Sequence, residues 1–254
     1  MSERTTQESL KSPGLPAIDM NEYGGKKDGE RQAMDRRLFM QLLVLDAPAG
    51  EDADAIAQAL TGRLKEKGIA GVVYADTNAV RGIGLLTWSE DPAHFVTAVR
   101  ALLNEPGFRN LVERREFAML GRTYSIGHEP DLEHVLLQRS IDNAMAEDFP
   151  WHVWYPLRRT GSFAKLEGQE HGMILREHAA IGMAYGQSGL AHDIRLACHG
   201  LDAEDNEFVI GLVGKQLHPL SHLVQTMRKT RQTSEFIAKM GPFFVGRVVG
   251  RGAK

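Results

Sequence analysis

The order strand, helix, strand, strand, helix, strand can be read twice along this chain of 254 residues, and few folds accept it. In the first copy, residues 38–45 form an apolar run of strand length, interrupted by Gln41 alone. Residues 52–67 carry Ile56, Leu60 and Leu64 at helical spacing until Gly68 breaks the pattern. Residues 72–75 and 82–88 read as strands around the turn-like Asp76-Thr77-Asn78. Asp91-Pro92 opens a helix through Phe95, Val99 and Leu102, and residues 115–126 supply the closing strand.

The same order returns after a connector of mixed helical and loop character over residues 130–150. Strands are expected at 151–157, 193–198, 208–213 and 242–249, and helices at 167–185 and 219–239. The letters keep a trace of the repeat. Pro92, His94-Phe95-Val96 and Val99-Arg100 are echoed by Pro219, His222-Leu223-Val224 and Met227-Arg228, and Gly121-Arg122 by Gly246-Arg247, at offsets of 125 to 128. Each βαββαβ unit makes a four-stranded antiparallel sheet with both helices on one face, so the other face needs a cover. Two such units can cover each other. The expectation is an α+β protein of two ferredoxin-like halves (36–129 and 151–250) whose sheets join into a barrel-like core with the helices outside.

Residues 1–35 are rich in Ser, Thr, Lys, Glu, Gly and Pro without hydrophobic period and read as a flexible arm. The formal net charge of −3 gives no broad basic footprint, so nucleic acid is not the expected partner. A local excess of cations from Arg228 onward suits either a solvated face or the binding of carboxylates and phosphates. The single cysteine, Cys198, excludes an internal disulfide and any cysteine-based zinc cluster. No run approaches the ~18–20 apolar residues needed to cross a bilayer, and the first residues lack a signal-peptide core. The expected location is the cytoplasm.

Among residues that can carry chemistry, His178 stands out. Ile174, His178, Ile181 and Tyr185 follow one another at helical steps, so an imidazole sits in an apolar stripe. It is either a core histidine satisfied by a hydrogen bond or an axial ligand of the kind haem iron takes. His171 lies on the same seam, but seven residues along a helix is about 10.5 Å, too far for both to hold one ion. On the preceding strand, alternation puts Tyr155, Leu157 and Arg159 on one face and Trp154 and Arg158 on the other. A phenol and a guanidinium can thus meet one ligand, or the phenol can be plain core. Cys198-His199 makes a poor nucleophile and base, because neighbours on a strand face opposite ways. Asp202, Glu204 and Asp205 read as an acidic turn. No dinucleotide, Walker, nucleophile-elbow or zincin string is present.

Tyr155-Pro156-Leu157-Arg158-Arg159, Arg176-Glu177-His178 with Gly182 and Tyr185, Gly200-Leu201-Asp202 with Glu207-Phe208, Met227-Arg228, and the segment from Gly241-Pro242 through Phe243-Phe244-Val245-Gly246 together resemble the chlorite dismutase superfamily. Within it, the chain looks most like the coproheme decarboxylases. The resemblance covers residues 36–250 in element order, with its motifs in the second half. It implies a dimeric α+β barrel, haem b or coproheme held by the C-terminal half, and a homo-oligomer, commonly a pentamer. His178 matches the proximal iron ligand and Tyr155 the tyrosine thought to form a radical. Leu157 stands where decarboxylases have methionine, and Arg158, Arg159 and Thr233 fall on the porphyrin side. Glu235 is the nearest carboxylate to support the histidine.

The distal side departs from the family. Asp193 occupies the position of an arginine in chlorite dismutases and a glutamine in many decarboxylases, and about two extra residues fall within 186–190. Arg195 or His192 can then take the distal place, and Met183 replaces a basic residue. Three functions remain open on this reading: peroxide-dependent oxidative decarboxylation of iron coproporphyrin III to protohaem, conversion of chlorite to chloride and dioxygen, or haem binding without catalysis.

Overall fold

The computed structural model describes residues 15–253. Strands β1 (Glu22–Lys27) and β2 (Glu30–Met34) form a hairpin of their own. Of the arm expected over residues 1–35, positions 1–14 lie outside the described residues, and the hairpin corrects the expectation of irregular chain for the rest. Its charged residues gain partners that composition does not reveal. Glu22 meets Arg37 and Arg122, and the Gln32 amide donates to the Glu129 and Pro130 carbonyls.

Next come β3 (Phe39–Asp46), α1 (Ala53–Lys67), β4 (Gly71–Asp76) and β5 (Gly82–Ser89). Asp52 caps α1 by accepting from the Asp54 and Ala55 amides at 2.9 and 3.1 Å, and Gly68 ends it in the left-handed region. A π-helical turn, Phe95–Val99, leads into α2 (Arg100–Leu103). The strand expected over residues 115–126 is shorter: β6 (Val112–Glu113), a 3-10 turn and β7 (Met119–Arg122). The connector contains a π turn, His134–Gln138, and α3 (Arg139–Met145).

The second half runs β8 (Trp151–Arg159), α4 (Gly168–Gln187), β9 (His192–Ala197), β10 (Phe208–Gly214), α5 (Leu217–Met227), α6 (Arg231–Phe236), β11 (Ile237–Met240) and β12 (Phe244–Arg251). One helix was expected over residues 219–239. It divides because Thr230 caps a new helix by accepting from the Thr233 amide, and Ile237–Met240 leaves to pair with the far end of β8.

All strands of the large sheet are antiparallel, in the order β10-β9-β7-β3-β5-β4-β12-β8, and β8 pairs again with β10. The sheet therefore closes into an eight-stranded barrel. Within each half the order is fourth, first, third, second strand: β7-β3-β5-β4 and β12-β8-β10-β9. That is the ferredoxin-like order twice, and it fixes the fold as an α+β barrel of two such halves. The two repeated glycines stand at the two seams. A Cβ on Gly121 would lie 2.6 Å from Cβ of Leu196 on β9, and one on Gly246 would lie 2.9 Å from Cβ of Tyr74 on β4.

Met40, Leu42, Tyr74, Trp154, Ile194, Leu196 and Phe244 fill the interior. Outside the N-terminal sheet, α1 and the Phe95–Leu103 helical segment bury Leu60, Leu64, Phe95 and Leu102 against Val73 and Leu85. Outside the C-terminal sheet, Val153, Tyr155, Leu157 and Leu212 face α4 and α5. The two outer layers differ. The fifteen residues of α1 include four buried ones, whereas α4, with twenty, buries only Ile174. The longer helix is the less packed, and the histidine lies on it.

Candidate functional site

The site is the layer between the outer face of the C-terminal sheet and the helices α4, α5 and α6. Alternation along β8 sends Trp154 into the barrel and Tyr155 and Leu157 into this layer, as their packing partners show. Tyr155 is buried and stacks on Phe243 with ring centroids 4.5 Å apart. Burial, with the charge of Asp193, drives its phenol far above the usual range, while Arg228 opposes the shift. The Tyr155 hydroxyl has no hydrogen-bond partner among the described residues.

His178 stands on α4, half-buried, with Nδ1 3.4 Å from Oγ1 of Thr230. The Thr230 hydroxyl is within 2.8 Å of the Met227 carbonyl, to which it donates, so its oxygen is left to accept from Nδ1–H. That tautomer leaves the lone pair on Nε2 free for a metal. Burial and the charge of Arg195 hold the imidazole below its usual pKa, so it is neutral at neutral pH. Glu235 does not fill the supporting place: it pairs with Arg231, which also bridges to Glu170 and receives Glu177 at its backbone N–H.

On β9, Asp193 and Arg195 face the same layer while Ile194 and Leu196 enter the barrel. Nε of Arg195 lies 3.0 Å from Asp193, and Arg139 of the connector pairs with the same carboxylate. Burial alone would raise the Asp193 pKa, but the two guanidiniums outweigh it and hold the carboxyl below the usual range. Arg195 is thereby committed to a partner. His192 turns away, stacked on Phe149.

Arg159 donates to Glu207 at 2.8 Å and lies over the rings of Phe163 and Phe208. Arg158 faces the other way, its guanidinium donating to the Glu204 carbonyl, so the sheet does not bring it to the layer. Thr233 lines a groove of about 320 Å³ with Arg228, Ile237, Ala238, Lys239 and Met240. Met183 is exposed on α4. His171 packs edge-on against Phe163. Cys198 donates to the Asn206 carbonyl inside the barrel and burial pushes its thiol up to about 12, which removes the nucleophile reading. Asp202 caps its own turn by accepting from the Glu204 and Asn206 amides.

Four side chains of the layer escaped the sequence reading. Arg139 sits in a connector without a motif, and Tyr124, whose ring meets Phe208, lies just past β7 among the charges of Arg195 and Asp193. Thr230 carried a legible signal as a helix N-cap, hidden by the assumption of one long helix. Arg228 was read in a basic run, in the internal repeat and in the family resemblance but not given a place at the site, yet among the described residues it makes no ion pair and its charge is felt at Tyr155.

The sequence profile described as chlorite dismutase matches residues 112–249, more than half of the chain. The chain belongs to the chlorite dismutase family. Solved structures agree in fold. A chlorite dismutase from Candidatus Nitrospira defluvii in complex with imidazole superposes with a TM-score of 0.65 at 12% identity, covering 85% of this chain and 92% of that one. A haem-binding protein from Thermus thermophilus gives 0.63 at 18% identity, over 84% and 91% of the two chains. No curated protein matches the sequence significantly. Among the described residues there is no group of three or more His, Cys, Asp or Glu side chains suited to a metal ion, and no helix long and apolar enough to cross a membrane. A haem iron needs no such cluster, because the porphyrin supplies four of its ligands and one imidazole suffices from the protein.

Proposed function

We propose that this chlorite dismutase family protein is a haem-dependent oxidoreductase that decarboxylates iron coproporphyrin III with peroxide, giving protohaem. The residues fit an iron porphyrin. A neutral imidazole offers Nε2, α4 is underpacked beside it, and the opposite wall is the apolar face of Tyr155, Leu157 and Leu212. The family resemblance and the haem-binding protein of the same fold support the same reading.

The observation that favours decarboxylation is that the buried Tyr155 phenol feels the charge of Arg228 while Arg195 is bound to Asp193. Chlorite chemistry calls for a free distal guanidinium to confine an oxyanion, and Arg195 lacks that freedom. Arg228, in contrast, can draw a propionate carboxylate to the phenol by a charge-assisted hydrogen bond. Around Tyr155, Tyr124 and Arg159, on the sheet side of the layer, the guanidiniums of Arg139, Arg159, Arg195 and Arg228 stand against the carboxylates of Asp193 and Glu207. Such a surplus suits the four carboxylates of coproheme better than the two of protohaem.

Bound iron porphyrin, with peroxide, supplies the oxidising equivalents. Tyr155 gives up an electron and a proton, the proton being consumed as peroxide is reduced to water. The phenoxyl then takes one hydrogen from the propionate chain. Loss of carbon dioxide and one further electron leaves a vinyl group, and one peroxide is reduced to water for each propionate. Leu157 and Phe243 keep water from the phenol and hold its ring.

The test is to load the protein with coproheme, add peroxide and follow the porphyrin mass. Two successive losses matching decarboxylated propionates are expected, and Tyr155→Phe should abolish both while leaving coproheme bound. Oxygen release from chlorite without a change in porphyrin mass would overturn the assignment.

A further inference from the structure

The barrel interior holds a polar group that the outer layer does not use. Tyr74 on β4 and His152 on β8 are both buried; the Tyr74 hydroxyl lies 2.8 Å from Nδ1 of His152, to which it donates when the ring proton is on Nε2, and the ring centroids are 5.1 Å apart. Trp154 shares that interior face, and its indole N–H is turned toward the Tyr74 hydroxyl without reaching a hydrogen bond of good geometry. Nε2 of His152 and Nε1 of Trp154 are buried with no partner among the described residues. Arg251, the nearby cation, is tied to the Ala146 and Phe149 carbonyls at 2.6 and 3.2 Å.

Such an arrangement is poor packing material. Two apolar side chains of the same shape would fill the space at no loss, and the unpartnered donors cost stability. Its chemistry is specific, however. A phenol that loses an electron becomes a strong acid, and here one base lies within hydrogen-bond distance. Burial holds the Tyr74 phenol far above its usual range and pushes His152 down to about 3, helped by Arg251, so in the resting pair the proton stays on oxygen. It moves only when an electron leaves with it. Trp154 is the chain neighbour of Tyr155, with alpha carbons ~3.8 Å apart and side chains on opposite faces of β8. The strand therefore joins the outer phenol to the interior pair.

We propose that Tyr74 is a redox-active tyrosine that passes an electron through Trp154 to oxidised Tyr155 and its proton to His152. The step balances: the Tyr155 phenoxyl takes one electron and one proton from its own side and returns to phenol, while Tyr74 becomes a neutral radical and His152 an imidazolium. The inference rests on Tyr155 being oxidised by the peroxide-treated iron porphyrin site. Its use is to clear an oxidising equivalent when no propionate is in place to consume it.

Protein loaded with protohaem, which has no further propionate for this reaction, is mixed with peroxide, frozen within milliseconds and read by electron paramagnetic resonance. A neutral tyrosyl signal is expected that Tyr74→Phe removes. His152→Gln, which keeps a hydrogen-bond partner but not the base, should shorten its lifetime at least tenfold. A tyrosyl spectrum and lifetime indifferent to both variants would overturn the proposal. Failure to bind haem would count against the outer site alone. The pair is then tested in the haem-free protein by flash oxidation with a photoexcited ruthenium complex, where a tyrosyl radical indifferent to Tyr74→Phe again overturns it.

Discussion

His178 can bind iron only as neutral imidazole with Nε2 unprotonated, and Thr230 is what the chain places at Nδ1 to secure that. Replacing Thr230 with Val removes the acceptor at nearly constant volume. The expected result is a loss of about 10–100-fold in haem affinity, by titration of the Soret band, with the fold intact. Because the pKa of His178 is lowered by burial, haem binding should persist to mildly acidic pH and fall only as the imidazole protonates. His152 gives the stability counterpart. Its folded-state pKa of about 3 lies below the usual 6.5, so the unfolded chain binds the extra proton between those values. Stability present above pH 6.5 is lost as pH falls toward 3, by roughly a few kcal/mol, and denaturant titrations of His152→Phe should show a flatter pH dependence. His178 and Tyr155 were legible because each sits in a recognisable string on a periodic element. Arg139 and Tyr124 were not, since a connector and a strand end bring them in only through tertiary contact.

At the scale of elements, periodicity located the outer helices and most strands, and it erred where a cap overrode it. Residues 219–239 keep helical spacing, yet Thr230 restarts the helix and β11 pairs with the end of β8, a long-range contact no local pattern encodes. The break is functional in consequence, since it puts Thr230 under His178 and Arg228 on the groove. The same strand closure gives a test at the seams. Gly121→Ala places a methyl group 2.6 Å from Cβ of Leu196, and about 1–3 kcal/mol of stability should be lost in chemical denaturation. A full-stability Gly121→Ala protein would contradict the packing of β7 on β9.

The whole molecule is a duplicated unit whose two outer helical layers are packed to different degrees. The twofold order of strands follows from the repeat in the sequence, but the difference between the tight α1 layer and the loose α4 layer does not, because both helices carry apolar stripes. The hairpin Glu22–Met34 was hidden for a related reason: its residues are polar, and it is held by Glu22 and Gln32 to a distant part of the chain. In the function proposed, iron porphyrin sits between α4 and the C-terminal sheet with its iron on His178. The most direct measurement is a Soret titration of the unmodified protein beside His178→Gly, with and without added imidazole. A saturable band is expected in the first, its loss in the second and its return when free imidazole occupies the vacated place. An unchanged band in His178→Gly, or none in the unmodified protein, would contradict it.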